Sequence, residues 1–293
     1  MTTTDAYPSI TDPGVYDLDH ADYNRDPVVG GSLSSTGARK LLPPSCPALY
    51  RHWVDNPPAA KEEFEHGTAA HKLVLGVGPK LVVPDDNNGR WDTNEIKAQV
   101  AEIRAAGNIP LKRADYDRVH AMADALRAHP WASRLFAAGT GQPERTIVWR
   151  DQETGVMCRA LLDWLPTQVP GTRLVFRDYK TSKTAAPDRF DRNIADYGYH
   201  VQAVFHLAGL RALDLAGDDA QALLAVQEKE SPYLVTVFQL DRAAMLIGQR
   251  LMREALLTYA ECVQSGRWPG YSDEVVLIGL PPWVENQYRE DLM

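Results

Sequence analysis

The chain has 293 residues, of which 44% are hydrophobic, so it can bury one large core or two small ones. Its formal net charge of −8 argues against a protein that coats DNA by bulk charge, because Lys and Arg neutralise phosphates. This charge does not exclude an enzyme acting on DNA, because a carboxylate cluster that holds divalent ions also contributes negative charge.

The sequence gives no sign of a membrane span, a secretory signal or a cysteine-based cluster. No run reaches the roughly 18 apolar residues that a span needs, and the N-terminus lacks a basic start followed by an apolar stretch. Cys46, Cys158 and Cys262 are far apart and form no CxxC pair. We therefore expect a cytoplasmic protein without membrane contact, with reduced, mostly buried thiols and no iron–sulfur cluster.

The first half of the chain is predicted to be mainly helical. Residues 1–32 are rich in Asp, Pro, Gly and Tyr, which predicts an irregular arm. "LSSTGARKLL" predicts a helix capped by Ser34 or Ser35. Helical periodicity follows in "AKEEFEHGTAAHKLVLG", "TNEIKAQVAEIRAAG" and "RADYDRVHAMADALRAHP", with a short strand in "KLVVPD".

The second half changes to strand-like alternation. Strands are predicted in "RTIVW", "MCRALLDWL" and "RLVFRDYK", the first two as a hairpin. A long helix over residues 187–215 is predicted next, followed by strands in "AQALLAVQEK" and "YLVTVFQL", a helix capped by Asp241 and a Pro-rich aromatic tail. This order predicts an α/β or α+β fold with a central mixed sheet flanked by helices. No GxxxxGK[ST] stretch is present, so nothing in the sequence favours ATP hydrolysis.

Charged residues cluster around the second and third of these strands. Asp163 ends the apolar run "RALLD", Asp178 follows fifteen positions later (178 − 163), and Lys180 stands two positions beyond on the same strand face. Carboxylates from neighbouring strands are ligands that Mg²⁺ and Mn²⁺ prefer, and such ions activate water for attack on a phosphodiester. Upstream, His71 can complete a metal's coordination, and Glu144 precedes the first strand of the core.

Each of these residues also has a purely structural interpretation. Asp178 and Lys180 alone fit a surface ion pair, His71 fits a core histidine, and Glu144 fits a solvent-facing acid. Asp163 is harder to explain in this way, because apolar residues flank it and acids are seldom buried without a partner. The combination favours a metal site.

Longer segments resemble a known family. "RALLDWL…RLVFRDYKTSK" resembles motifs II and III of the PD-(D/E)XK nuclease superfamily, with Asp as the second acid. "LSSTGARKLL", "FEHGTAAHKLVLG" and "HAMADALRAHPWASRLF" are similar to RecE-like (exonuclease VIII type) domains, as are "PERTIVWRDQETGVMCRALLD", "YGYHVQAVFHLAGL" and "RWPGY". The resemblance covers residues 33–271 and implies one PD-(D/E)XK nuclease domain with a restriction-endonuclease-like core. Its helical part would be 33–140, its catalytic core 141–265 and its tail 272–293.

The resemblance also implies roles for individual residues. The catalytic residues it implies are Asp163, Asp178, Lys180 and Glu144, and the metal ligands it implies are His71, Asp163, Asp178 and the carbonyl of Tyr179.

Four further residues are candidates for DNA contact. Arg159 lies four residues before Asp163 on the same strand face and is suggested as a phosphate contact. The family's Gln-xxx-Tyr signature is imperfect here, because Gln202 is present but position 206 is His. Tyr199 lies one turn before Gln202 and is a further candidate. Ordinary helix packing explains Gln202, Tyr199 and His206 equally well.

RecE-like enzymes degrade linear double-stranded DNA from 5′ ends with Mg²⁺ and without ATP. The resemblance therefore implies an exonuclease that uses Mg²⁺ or Mn²⁺, acts on duplex ends, supplies 3′ single strands to an annealing recombinase and forms a homo-oligomeric ring. If phage-encoded, it would work in the bacterial host cytoplasm. Two alternatives remain, a structure-selective or single-strand nuclease of the same fold, and a catalytically silent DNA-binding recombination scaffold.

Overall fold

The computed structural model describes residues 8–57, 65–85 and 89–288, with residues 65–68 described by their backbone alone. Its strands are β1 (Gly14–Tyr16), β2 (Leu33–Ser34), β3 (Leu81–Val82), β4 (Ile109–Pro110), β5 (Gly141–Arg150), β6 (Met157–Pro166), β7 (Val175–Ser182), β8 (Gln221–Glu228) and β9 (Val235–Gln239). Its helices are α1 (His20–Asn24), α2 (Ser35–Leu41), α3 (Pro47–Asp55), α4 (Glu65–Leu75), α5 (Asn94–Ala105), α6 (Arg113–Ala128), α7 (Ala132–Leu135), α8 (Pro187–Asp196), α9 (Tyr199–Ala212), α10 (Arg242–Ser265) and α11 (Pro282–Gln287).

A seven-stranded mixed sheet in the order β1-β5-β6-β7-β8-β9, with β2 paired to β6, forms the centre of the fold. β5 and β6 form a long antiparallel ladder, whereas β6 and β7 pair only at Trp164↔Arg177. β2 pairs in parallel with the start of β6, and β7 runs parallel to β8 along its whole length. Asp163 and Asp178 therefore lie beside the point where β6 and β7 meet.

The main hydrophobic core lies between the sheet and the helices α9 and α10. Close approach depends on small residues, because a Cβ at Gly209 of α9 would lie 2.7 Å from side-chain atoms of Ile147 and Trp149. A Cβ at Gly248 of α10 would likewise lie 2.6 Å from the carbonyl oxygen of His200. These helices fix one face of β5, β6 and β7.

A second core cluster holds α4, α6 and α7 against the other face of the sheet. Tyr179 lies in this cluster, fully buried, and its hydroxyl donates to Oε1 of Gln227 at 2.6 Å. The Gln227 amide donates in turn to the carbonyl of Met122 at 2.8 Å, which ties α6 to β8. This packing positions α4, and with it His71, beside β7.

Local sequence signals account for several helix ends. Oγ of Ser34 accepts a hydrogen bond from Gly37 N at 3.1 Å, and Oδ1 of Asp241 accepts one from Ala244 N at 2.7 Å, which confirms both predicted caps. Helix α10 ends at Ser265, and the next residue, Gly266, has a φ of +69°, the left-handed conformation common at helix C-termini.

Two predictions about elements are wrong. The predicted helix over 187–215 is two helices, because Gly198 between α8 and α9 adopts a left-handed φ of +62°. The arm over residues 1–32 is not wholly irregular, because β1 pairs with β5 and α1 follows it. Residues 1–7 of that arm lie outside the described residues. So do residues 60–64, which begin the predicted helix that contains α4.

The mixed sheet flanked by helices confirms the predicted fold class. The three cysteines are unpaired and buried, as predicted. Across the described ranges, no helix combines the length and apolar character that crossing a bilayer requires.

Candidate active site

Two carboxyl groups meet at the junction of β6 and β7. Oδ2 of Asp163 on β6 accepts a hydrogen bond from Tyr179 N on β7 at 2.8 Å. Asp178 directly precedes Tyr179 on β7, and burial together with the nearby Asp163 charge raises the Asp178 pKa. The Asp178 side chain is 3% exposed and the Asp163 side chain 18%. The structure thus brings together the two acids that the strand pattern paired.

Lys180 completes the cluster from the same strand as Asp178. Its Nζ lies 2.7 Å from Oδ2 of Asp178 and 5.4 Å from the centre of the Tyr199 ring. Oδ2 of Asp178 is buried and accepts no hydrogen bond of good geometry. Its contact with Lys180 is therefore an ion pair and not a hydrogen bond. This oxygen retains acceptor capacity for a further ligand.

Burial governs the charge state of the cluster. It raises the pKa of Asp163 and of Asp178; Lys180 opposes the increase at both acids. Burial also disfavours the Lys180 charge, but the two carboxylates outweigh it and raise the lysine pKa. Lys180 supplies one positive charge against two carboxylates, so a bound divalent cation would lower the cost of burying both negative charges.

His71 approaches the acids from α4. Its Nδ1 lies 3.9 Å from Oδ1 of Asp163, too far for a hydrogen bond, and its ring packs edge-on against Tyr179 with centroids 4.9 Å apart. Burial and the Lys180 charge lower the pKa of His71 to about 4. The imidazole is therefore neutral near pH 7, which is the form that ligates metals.

Glu144 lies across the β5–β6 ladder from Asp163, since Pro143 pairs with Trp164 and Arg145 with Leu162. Its φ of +47° is uncommon for a residue with a side chain.

A histidine of the N-terminal arm contacts Glu144. Nε2 of His20 lies 3.3 Å from Oε1 of Glu144, and this hydrogen bond raises the His20 pKa. The negative charge of Asp163 acts on His20 in the same direction. Sequence reasoning missed His20, because α1 reaches the site only through tertiary contacts.

The candidates for DNA contact on α9 have different environments. Tyr199 is half-buried beside Lys180, and Gln202 is half-buried one turn further along the helix. His206 is 1% exposed and packs edge-on against Phe176 with centroids 5.2 Å apart. This burial argues against direct DNA contact by His206, while Tyr199 and Gln202 remain candidates.

Arg159 is engaged by the N-terminal arm. Its Nη1 lies 2.9 Å from Oδ2 of Asp26 and 2.9 Å from the carbonyl of Ser32, and its Nε donates to the carbonyl of Tyr23 at 3.2 Å. Arg159 is buried, and its Nε and Nη1 are occupied by these partners. These contacts give Arg159 a structural role and argue against the suggested phosphate contact.

The donor set suits a hard divalent ion. Mg²⁺ usually binds one or two carboxylates together with substrate phosphates and water. Asp163 and Asp178 provide carboxylates, Oδ2 of Asp178 has acceptor capacity, and neutral His71 adds a nitrogen. In the part of the chain that the structure describes, no group of three His, Cys, Asp or Glu side chains lies close enough to hold a metal ion without rearrangement or further ligands. Ligation by the Tyr179 carbonyl stays a prediction.

A mixed sheet that carries two acids and a lysine on adjacent strands defines a PD-(D/E)XK-type domain. Residues 50–280 match the family described as "PDDEXK-like domain of unknown function (DUF3799)", and the chain belongs to this family. It is also similar to the crystal structure of a presumed exonuclease from Eubacterium rectale. That similarity has a TM-score of 0.55 at 12% identity, covering 93% of this chain and 98% of the other, and shows the fold alone. No curated protein matches. These findings establish a PDDEXK-like domain and its fold.

Proposed function

We propose that this protein is a divalent-metal-dependent, ATP-independent exonuclease that degrades linear double-stranded DNA in the 5′→3′ direction. The observation that carries the proposal is the convergence of Asp163, Asp178 and Lys180 at the β6–β7 junction, with Lys180 Nζ 2.7 Å from Asp178. The 5′→3′ direction and the preference for duplex ends rest on the resemblance to RecE-like domains.

The residues of the cluster have distinct tasks in this reaction. Asp163 and Asp178 would hold Mg²⁺ or Mn²⁺, with His71 as a neutral ligand. When bound, the ion supplies Lewis-acid stabilisation of phosphate charge and lowers the pKa of water. Lys180 offsets charge that develops on the phosphate or orients the attacking water, since its raised pKa keeps it protonated. Glu144, which contacts His20 and lies across the β5–β6 ladder from Asp163, would orient the attacking water.

The products and partners follow from the same resemblance. Resection from 5′ ends leaves 3′ single strands, which are the substrate of a strand-annealing recombinase. A homo-oligomeric ring enclosing DNA would retain the enzyme without a basic surface. The C-terminal tail supports self-association, because it exposes a contiguous apolar run in which Val275 is 102% and Leu277 99% exposed. Sedimentation that finds one monomeric species at micromolar concentration would contradict the ring.

A cleavage assay tests the proposed activity. End-labelled linear duplex and a covalently closed circle of the same sequence are incubated with the protein and Mg²⁺, without ATP. We expect nucleotide release from the linear duplex alone, with different rates for 5′-phosphate and 5′-hydroxyl ends. Cutting of the closed circle would favour the structure-selective endonuclease, and DNA binding without cleavage would favour the silent scaffold.

A further inference from the structure

Arg39 carries a buried donor that the protein leaves unused. It lies on α2, where its Nη2 donates to Oγ1 of Thr36 at 3.3 Å. Its Nε is buried and has no hydrogen-bond partner. Within the described part of the chain, no carboxylate lies at ion-pair distance from Arg39. A buried cationic donor without a partner is costly, so its retention calls for an explanation.

The backbone makes room for this side chain beside the acidic cluster. A Cβ at Gly198 would lie 2.5 Å from Cδ of Arg39, so the glycine opens the space that the arginine stem occupies. The next residue, Tyr199, has its ring centre 5.4 Å from Lys180 Nζ. The Arg39 stem therefore packs against the α8–α9 break, one residue before Tyr199, whose ring lies beside Lys180.

Electrostatic coupling agrees with this placement. Burial lowers the pKa of Arg39, while interactions with Tyr199 and with the Asp178 carboxylate oppose the decrease. The positive charge of Arg39 also contributes to the lowered pKa of His206. Arg39 is thus within electrostatic reach of the cluster but has no carboxylate partner of its own.

We propose that Arg39 is a substrate-binding residue that donates hydrogen bonds to a phosphate oxygen of the DNA backbone beside the Lys180–Asp178 pair. The inference rests on the proposed function and extends it by assigning a second phosphate-binding cation. The guanidinium presents a planar fork of donors that matches phosphate geometry, which an ammonium does not. A bound phosphate would satisfy the donor that is unpaired in the free protein.

Binding of duplex DNA without cleavage provides the first test. Fluorescence anisotropy is measured with a labelled linear duplex in Ca²⁺ at several salt concentrations, for wild type, Arg39→Met and Lys40→Met. Arg39→Met retains the stem against Gly198 but removes the guanidinium. Lys40→Met is the matched control, because Lys40 is the next residue and its Nζ lies over the Trp53 ring at 4.9 Å.

We expect Arg39→Met to weaken binding at least about tenfold, as for loss of a charge-assisted hydrogen bond. The slope of log K against log salt should fall by about 0.9, which is the contribution of one phosphate contact on duplex DNA. Lys40→Met should retain the wild-type slope. Equal weakening by both variants would mean that net charge alone matters, and would overturn the assignment.

The unfolding temperature of Arg39→Met provides a second test. A purely structural role for Arg39 predicts a lower unfolding temperature for this variant, whereas the proposed role does not. Since Nε has no partner, Arg39→Met should unfold at the same temperature as wild type or higher. A clearly lower unfolding temperature would show that Arg39 stabilises the fold by packing, and would contradict the inference. Arg39→Lys keeps the charge but loses the fork, so we expect it to retain the salt slope with an affinity between those of wild type and Arg39→Met.

The two proposals fail in different ways. If wild type cleaves linear DNA but Arg39→Met binds as tightly as wild type, the Arg39 assignment alone is wrong. If Arg39→Met loses affinity and slope while wild type shows no cleavage with Mg²⁺, the exonuclease proposal alone is wrong. Absence of any DNA binding by wild type would overturn both.

Discussion

The buried histidine of α9 should make the stability of this protein depend on pH in a defined window. Burial lowers the pKa of His206 from 6.5 to about 4, and the ring is 1% exposed. Between these two pH values the unfolded chain binds a proton that the folded chain excludes. The contribution of His206 to the free energy of unfolding is therefore fully present above about pH 6.5 and is lost as the pH falls toward 4.

The linkage gives a magnitude for this effect. With a folded-state pKa of about 4 against 6.5 in the unfolded chain, moving from pH 7 to pH 5 costs about 2 kcal/mol of unfolding free energy. His206→Leu removes this contribution. It also removes the buried Nδ1, which has no hydrogen-bond partner, so the variant should not be less stable at pH 7 through a lost polar contact.

Urea denaturation in the presence of a chelator measures the effect. Between pH 7 and pH 5, the stability of His206→Leu relative to wild type should increase by about 2 kcal/mol. His52→Leu is the matched control, because His52 is exposed on α3, and its curve should run parallel to that of wild type. Parallel curves for His206→Leu and wild type would refute the reasoning that burial holds this ring neutral.

Three further substitutions test other parts of the structure. Lys180→Met should lower cleavage at least about a hundredfold, as for loss of a preorganised donor, while a circular dichroism spectrum like that of wild type shows that the fold persists. Arg159→Met leaves Asp26 without its cation and should cost about 3 kcal/mol in urea denaturation, with faster proteolysis of the N-terminal arm; unchanged stability would contradict the anchoring role. Gly198→Ala forces a side chain into a left-handed conformation against Arg39, and should cost at least about 1 kcal/mol and weaken DNA binding in the same way as Arg39→Met.

The strand part of the site could be predicted from sequence because its geometry is local. A two-residue period places Asp178 and Lys180 on one face of β7, and their Nζ–Oδ2 distance of 2.7 Å agrees with that placement. The apolar run before Asp163 indicated a buried strand next to it, and Tyr179 N does bond to Asp163. Fold class followed from the same alternation of strands and helices.

The other parts of the site depend on tertiary contacts that the spacing of residues in the sequence does not predict. His20 contacts Glu144 from an arm far upstream, and the Arg39 stem packs against Gly198 from α2; sequence spacing predicts neither contact. Arg159 was placed on the correct strand, but its partner Asp26 comes from an arm predicted to be irregular. The break at Gly198 was missed because one glycine within a helical pattern is often tolerated.

Dependence of DNA cleavage on a divalent ion, and on Asp178, tests the central claim most directly. Wild type, Asp178→Asn and the exposed control Asp188→Asn are stripped of metal with chelator and assayed on linear duplex before and after Mg²⁺ is returned. We predict that Mg²⁺ restores cleavage to wild type and Asp188→Asn, and that Asp178→Asn stays at least about a hundredfold lower. Full activity in Asp178→Asn, or undiminished cleavage by wild type in chelator, would contradict a metal-dependent nuclease site at this cluster.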